Sequence, residues 1–472
     1  MNYLRWLAWA AGPLAFLLVL LIAPFELALE NKVFAVAAWM LIWWMLEAVE
    51  LYITAMLPMV LFPMLGILSV SATFIPYANP IIFLFLGGFI LALGMETHRL
   101  HERIAFGLLR LTGSRPAGII FGFMLATASV AMWISNTATA VMLLPIGLSV
   151  IELVGSDERT QPILGRFALL MMLGIAYAAN IGGMITLIGT PPNLVFAGYY
   201  YEHFGVDFSF LEWLKIGVPV GVGLLLAGFL LLTKVVYPIR SGNIDGVDEL
   251  LEARWKALGK VKRGEALVMI IFGFTVFLWI SASFWNDLFE TRFLNNTSIA
   301  MLGGLLLFTV PLDWKEGKFI LQWSDAAKLP WGILILFGGG LSLASGLEAA
   351  GFIDQIVAWI TSLGFQDVLG LLIALTVAAL FMTEVMSNVA LVTVLLPVVF
   401  GIAEAMEVNT LLLTIPVTLA ASCAFMMPIS TPPNAVVYSS GLVNVKQMMR
   451  AGIWMNILSI LVIVAVIYLF YA

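Results

Sequence analysis

The chain has 472 residues, 62% of them hydrophobic and only 11% charged, where soluble domains carry about 25% charged residues. With a mean hydropathy of +1.06, no soluble fold could cover its own surface with polar groups, and an all-α polytopic membrane protein is expected. A net charge of −6, one cysteine (Cys423) and three histidines argue against a nucleic-acid partner, a disulfide framework and a cysteine or multi-histidine metal centre.

A spanning helix needs about 20 apolar residues. Such windows fall at 4–22, 33–51, 52–69, 80–97, 166–198, 213–237, 266–284, 297–311, 331–347, 410–440 and 451–471, about eleven transmembrane helices. Residues 1–32 are expected to hold a retained first helix, because no small-residue cleavage site follows the apolar stretch. In the first unit, 33–239, His101-Glu102 begins like a zincin motif, but Ala105 stands where the second histidine belongs. The same unit has an apolar stretch at 117–153 interrupted by Ser135-Asn136, and a long one at 166–201 interrupted by Pro191-Pro192. A basic segment, 240–264, is expected to be a solvated cytoplasmic connector. The second unit, 265–472, repeats the pattern with a stretch at 366–403 broken by Ser387-Asn388 and one at 410–440 broken by Pro432-Pro433.

Each Ser-Asn stretch is either two crossings or one re-entrant hairpin. With both as hairpins and the N-terminus in the cytoplasm, all of the 22 Lys and Arg except Lys32, Lys215 and Arg292 fall on the cytoplasmic side, as the positive-inside rule expects. The C-terminus then lies outside. Crossings in both places would balance equally, so charge supports the hairpins only together with an internal repeat. At an offset of 252 residues, Gly87-Gly88 matches Gly339-Gly340, Gly94 matches Gly346, Glu96 matches Glu348, Ser135-Asn136 matches Ser387-Asn388 and Pro145 matches Pro397. After a loop 11 residues shorter in the second copy, the Thr-Pro-Pro-Asn run 190–193 matches 431–434. One hairpin opens to each side, so the copies are inverted. Inverted repeats with discontinuous helices mark a secondary transporter, with its site where the breaks meet.

The residue types at the breaks suit an ion and an anion. Ser135-Asn136-Thr137 and Ser387-Asn388 offer hydroxyl and amide oxygens to a sodium ion, and the asparagine amides offer donors to an oxyanion. Carbonyls released before the prolines can face a cation, while half-helix N-termini face an anion. No Arg or Lys lies inside a span near the breaks, so a dianion needs co-bound cations for neutralisation. Glu384 is an ionisable group in a membrane segment, and either a functional or a structural acceptor role is open to it. It has no second acid or metal set beside it, which leaves no basis for an enzyme. The paired glycines read as close-packing sites.

At SNTATA (135–140), IGTPPN (188–193), SNVALV (387–392) and ISTPPN (429–434), the sequence resembles the divalent anion/sodium symporter family of di- and tricarboxylate and sulfate carriers. The resemblance covers nearly the whole chain. It implies eleven spanning helices with two re-entrant hairpins, a homodimer and an elevator-type transport domain. It also implies a first sodium site of Ser135, Asn136 and backbone near Ala131 and Gly189. A second would use Thr383, Asn388 and backbone near Met386 and Ser430. Substrate contacts would come from Asn136, Thr137, Thr190, Asn388, Thr431 and Pro432. At Val389 the second copy departs from Ser-Asn-Thr and removes one hydroxyl from the pocket.

The function expected is sodium-coupled symport of a C4 dicarboxylate (succinate, malate or fumarate) in a bacterial inner membrane, with sodium ions as the coupling species and no covalent cofactor. The alternatives are a citrate or sulfate symporter, a sodium-independent dicarboxylate exchanger and, in another class, a passive anion channel.

Overall fold

The computed structural model describes residues 2–22, 28–111, 113–156, 160–239, 244–291, 293–352, 355, 358 and 367–471. Arg159, Arg240 and Arg292 of the charge partition, the first residues of the connector (240–243) and residue 366 of the second hairpin lie outside the described residues.

Among the described residues, ten helices are long and apolar enough to cross a membrane, and they are not the eleven windows expected. The ten include the outer arms of both interrupted stretches, Asn136–Gly155 and Asn388–Ala405. The 52–69 window breaks into Leu51–Thr54 and Leu57–Leu65. That break persists because the freed Ala55 carbonyl accepts the Tyr77 hydroxyl at 2.6 Å. The 297–311 window is the 14-residue helix Asn296–Thr309, about 21 Å long at 1.5 Å per residue and short of the hydrocarbon thickness. One small ribbon departs from an all-α fold, Pro311–Asp313 paired with Lys318–Phe319. Asp313 closes its turn by accepting the N–H groups of Lys315 and Glu316, and Gly317 supplies the positive φ of 61°.

The two units share one order of elements. The first runs Pro80–Thr97, Pro116–Ala131, Asn136–Gly155, Gln161–Ile185, Pro191–Phe204 and Phe210–Leu230. The second runs Trp331–Ala349, Val368–Met382, Asn388–Ala405, Thr410–Ala421, Pro432–Ser439 and Val445–Tyr471. In each, the helix before the Pro-Pro break packs against both arms of the Ser-Asn stretch. The two breaks are made alike. Proline takes the first turn of each following half-helix, where a missing N–H costs nothing. The residue before it is extended in both copies, Thr190 at φ −145°, ψ 145° and Thr431 at φ −142°, ψ 148°.

Helix Gln161–Ile185 is the hub of the larger core. It is apolar all round, and every residue from Phe167 to Ile185 is buried, as such a helix requires. Gly182 permits the contact, since a Cβ there would lie 2.4 Å from the Ala128 carbonyl oxygen. A second, smaller core joins Val33, Trp44 and Phe62 to Leu336 and Leu343. The paired glycines do pack closely where they face backbone: a Cβ on Gly87 would meet the Ala300 carbonyl carbon at 2.5 Å, and one on Gly339 the Ala55 oxygen at 2.2 Å.

The connector is not a solvated strand. Val247–Leu258 is a helix with Val247 and Leu251 buried. The guanidinium groups of Arg103 and Arg110 both lie over the Trp255 ring, 5.3 and 5.0 Å from its centre. Arg110 also pairs with Glu252 at 2.7 Å, and Arg103 with the buried Glu265. The sequence reading missed this docking because it counted the segment's charges and not its apolar 4-residue spacing at 247, 251 and 255.

Candidate functional site

Both Ser-Asn turns and both Thr-Pro-Pro breaks open onto one cavity of about 780 Å³. All seven residues expected at the substrate line it: Asn136, Thr137, Thr190, Asn388, Val389, Thr431 and Pro432. Of the expected cation set, Ser135, Asn136, Gly189, Asn388 and Ser430 line it as well. Ala131 and Thr383 are fully buried and, like the half-buried Met386, are not part of its wall.

Ser135 caps the helix that follows it, its Oγ accepting the Ala138 N–H at 3.1 Å. That cap fixes Asn136 in the first turn, facing Gly183, where a Cβ would lie 2.6 Å from Asn136 Oδ1. Glycine is needed there for the amide to fit. Asn136 Oδ1 is buried and has no hydrogen-bond partner among the described residues. A buried acceptor without a donor is costly, and a cation is the partner that would satisfy it. Close by, Thr186 Oγ1 lies 2.5 Å from the Met132 carbonyl oxygen. A Cβ on Gly189 would meet Gly183 O, Met132 O and Thr186 Oγ1 within 2.6 to 3.1 Å, so these oxygens converge on the break.

In the second copy Thr383 Oγ1 lies 2.8 Å from Asn388 Oδ1 and 2.6 Å from the Ala421 carbonyl oxygen. These three oxygens share one hydroxyl hydrogen. The cluster is oxygen-rich and uncharged, the hard neutral donor set a sodium ion takes.

Glu384 is a structural acceptor. Its carboxylate receives the N–H groups of Phe425, Met426 and Met427 and the Asn456 amide at 2.8 to 3.2 Å, while the Ser430 hydroxyl, 3.1 Å away, shares its one hydrogen with the Met427 carbonyl oxygen at 2.6 Å. Both oxygens are surrounded by donors, which repel a cation. The second break needs this because it is longer: its helix stops at Ala421, whereas the first continues to Ile185. Its extra freed N–H groups must find an acceptor.

Three asparagines at the breaks escaped the sequence reading. Asn193 Nδ2 donates to the carbonyls of Gly183 and Thr186 at 3.2 and 2.8 Å. Asn434 Nδ2 does the same for Ala424 and Met427, at 3.0 Å each. The matched final asparagine of Thr-Pro-Pro-Asn was the available signal. Asn180, from the first unit, lines the cavity and reaches the second break; a lone asparagine without a repeat partner gave no signal. The facing wall carries Glu47, Tyr52, Phe85, Glu96 and one lysine, Lys328, whose ammonium is held 2.8 Å from Asp325. Among the described residues lining the cavity, no unpaired positive charge is therefore set against the motifs.

A helical membrane fold of two like units, whose paired helix breaks meet at one cavity, defines a secondary transporter. The chain belongs to the sodium:sulfate symporter transmembrane region family, which matches residues 5–472, and so to a family of transporters rather than enzymes. It is 39% identical over 468 residues to the sodium-dependent dicarboxylate transporter SdcS of Staphylococcus saprophyticus, spanning 97% of this chain and 89% of that protein. It is also 39% identical over 464 residues to SdcS of Staphylococcus aureus strain USA300, with the same coverage. Two solved structures share the fold. MtrF of Neisseria gonorrhoeae superimposes with a TM-score of 0.59 at 12% identity, over 87% of this chain and 84% of that one. The YdaH transporter of Alcanivorax borkumensis gives 0.53 at 12% identity, over 85% and 86%.

Proposed function

We propose that this protein couples the uptake of a C4 dicarboxylate, succinate, malate or fumarate, to an inward sodium gradient. The observation that carries the reading is the cavity itself, lined by two oxygen-rich, uncharged turns and, among the described residues, by no unpaired cation to hold a dianion. Sodium at Asn136 and the Gly189 break, and a second ion at Thr383, Asn388 and the Ala421 carbonyl, would supply that positive charge. The dianion would then lie between Asn136, Thr137, Thr190, Asn388, Thr431 and Pro432, with Val389 narrowing one side. The dicarboxylate named for the Staphylococcus relatives supports this class over sulfate.

The transport cycle we infer is an elevator within a homodimer. The frame is built on Leu29–Leu46, Pro80–Thr97, Asn296–Thr309 and Trp331–Ala349, and the moving body holds the hairpins and broken helices. With the N-terminus in the cytoplasm of a bacterial inner membrane, Lys328 and Glu96 in the cavity lining support a mouth that faces the cytoplasm. Competition tests the substrate class. Excess malate or fumarate is expected to suppress uptake of labelled succinate in sodium, whereas equal citrate or sulfate leaves most of it. Suppression by citrate or sulfate alone would overturn the C4 assignment.

A further inference from the structure

Asn180 stands on the buried helix Gln161–Ile185 of the first unit and is 2% exposed. Its Nδ2 lies 3.3 Å from the Ala424 carbonyl oxygen and 3.1 Å from Thr431 Oγ1. A carbonyl oxygen can only accept, so the side-chain atom facing it is the amide nitrogen. The two amide hydrogens then go one to Ala424 and one to Thr431. Thr431 Oγ1 receives a hydrogen bond in this way, and among the described residues no acceptor takes its own hydroxyl hydrogen. Thr431 is 4% exposed and lines the cavity.

We propose that Asn180 is a positioning residue that fixes Thr431 as a hydrogen-bond donor toward the bound anion. A threonine hydroxyl can turn either way, and a hydroxyl that presented its lone pair to a carboxylate would repel it. Saturating one lone pair from behind, with an amide that has no other use for that hydrogen, removes the wrong orientation before substrate arrives. The device exists in one copy only. Ala421 stands 241 residues after Asn180, the spacing that relates Thr190 to Thr431, so the first-copy hydroxyl has no equivalent partner. Thr431 is thereby the pre-oriented donor of the pair and Thr190 the adaptable one. The same amide also ties the first unit's central helix to the second unit's break, so the two halves of the anion site keep one spacing.

This inference rests on the anion reading of the cavity, and the experiment separates the two. The KM for labelled succinate is measured in proteoliposomes at saturating sodium for wild type, Asn180→Ala, Thr431→Ala and the double variant, together with the sodium half-saturation of each. Asn180→Ala is expected to raise KM about tenfold, the order of one lost buried hydrogen bond, and to leave the sodium half-saturation within about twofold. In the Thr431→Ala background the same change should move KM less than about twofold, because the hydroxyl it orients is gone. Asn180→Asp, an acceptor that would draw the Thr431 hydrogen to itself, should raise KM further. Should Asn180→Ala fail to accumulate, Asn180→Ser is used in its place; its hydroxyl can satisfy Ala424 but cannot bridge to Thr431 as well. A wild-type KM in Asn180→Ala, or a full tenfold effect persisting in the Thr431→Ala background, would overturn the proposal. If wild type ignores succinate, the substrate assignment is at fault, and the same cycle is run with citrate or sulfate, whichever is carried.

Discussion

Asn136 Oδ1 has no hydrogen-bond partner among the described residues, and the three oxygens around Thr383 share a single hydroxyl hydrogen. A buried acceptor lacking a donor costs about 1–3 kcal/mol, and Asn136 is held in the first turn of its helix. Removing the amide in Asn136→Ala should therefore abolish sodium-dependent uptake while the protein still reaches the membrane. Unchanged uptake by that variant would move the first cation site elsewhere. At Val389 the opposite change is informative. Val389→Thr restores a hydroxyl to the cavity wall and should shift preference toward more highly oxygenated anions, read as a fall of several-fold in the succinate-to-citrate ratio of kcat/KM. Asn136 and Asn388 were legible in the sequence because the repeat displays Ser-Asn twice, whereas Thr383, whose repeat position is Ala131, was expected only from the family resemblance. Asn180 was not legible, since its role depends on a contact across 251 residues that no local pattern records.

At the scale of elements, the two breaks are built alike but supported differently. The first is short and is served by Asn193. The second unwinds further and needs Glu384 as well. Glu384→Gln would keep one acceptor oxygen and turn an NH₂ group toward the three donors that face the other, at a cost of about 1–3 kcal/mol. The detergent-solubilised variant should melt several degrees below wild type, and an unchanged Tm would contradict the capping role. The connector helix makes a separate prediction. Trp255→Ala removes two cation–π contacts worth about 1–2 kcal/mol together and should lower Tm without altering the succinate KM. Helix breaks at Pro-Pro and at Ser-Asn were readable from residue type. The division of 52–69 into two pieces was not, because it rests on Tyr77 meeting a carbonyl freed at Ala55. The Glu384 role was left undecided for the same reason, its donors lying 41 to 72 residues away.

For the whole molecule, the repeat predicts two equivalent halves around one cavity, and the element order agrees with it. The elevator reading adds that the first break slides along helix Pro80–Thr97. A Cβ on Gly88 would lie 3.6 Å from Ile188 Cβ, near the ~3.8 Å of a disulfide. In Gly88→Cys/Ile188→Cys, oxidation should stop uptake and a reductant restore it, with each single variant active throughout. Transport by the cross-linked protein would rule out that sliding motion. The central claim is the coupling of a dicarboxylate to sodium, and the most direct test is uptake of labelled succinate into proteoliposomes with external sodium or with choline in its place. Saturable accumulation that requires the inward sodium gradient is the result predicted. Equal uptake in choline, driven only by internal dicarboxylate, would contradict the claim and make the protein an exchanger.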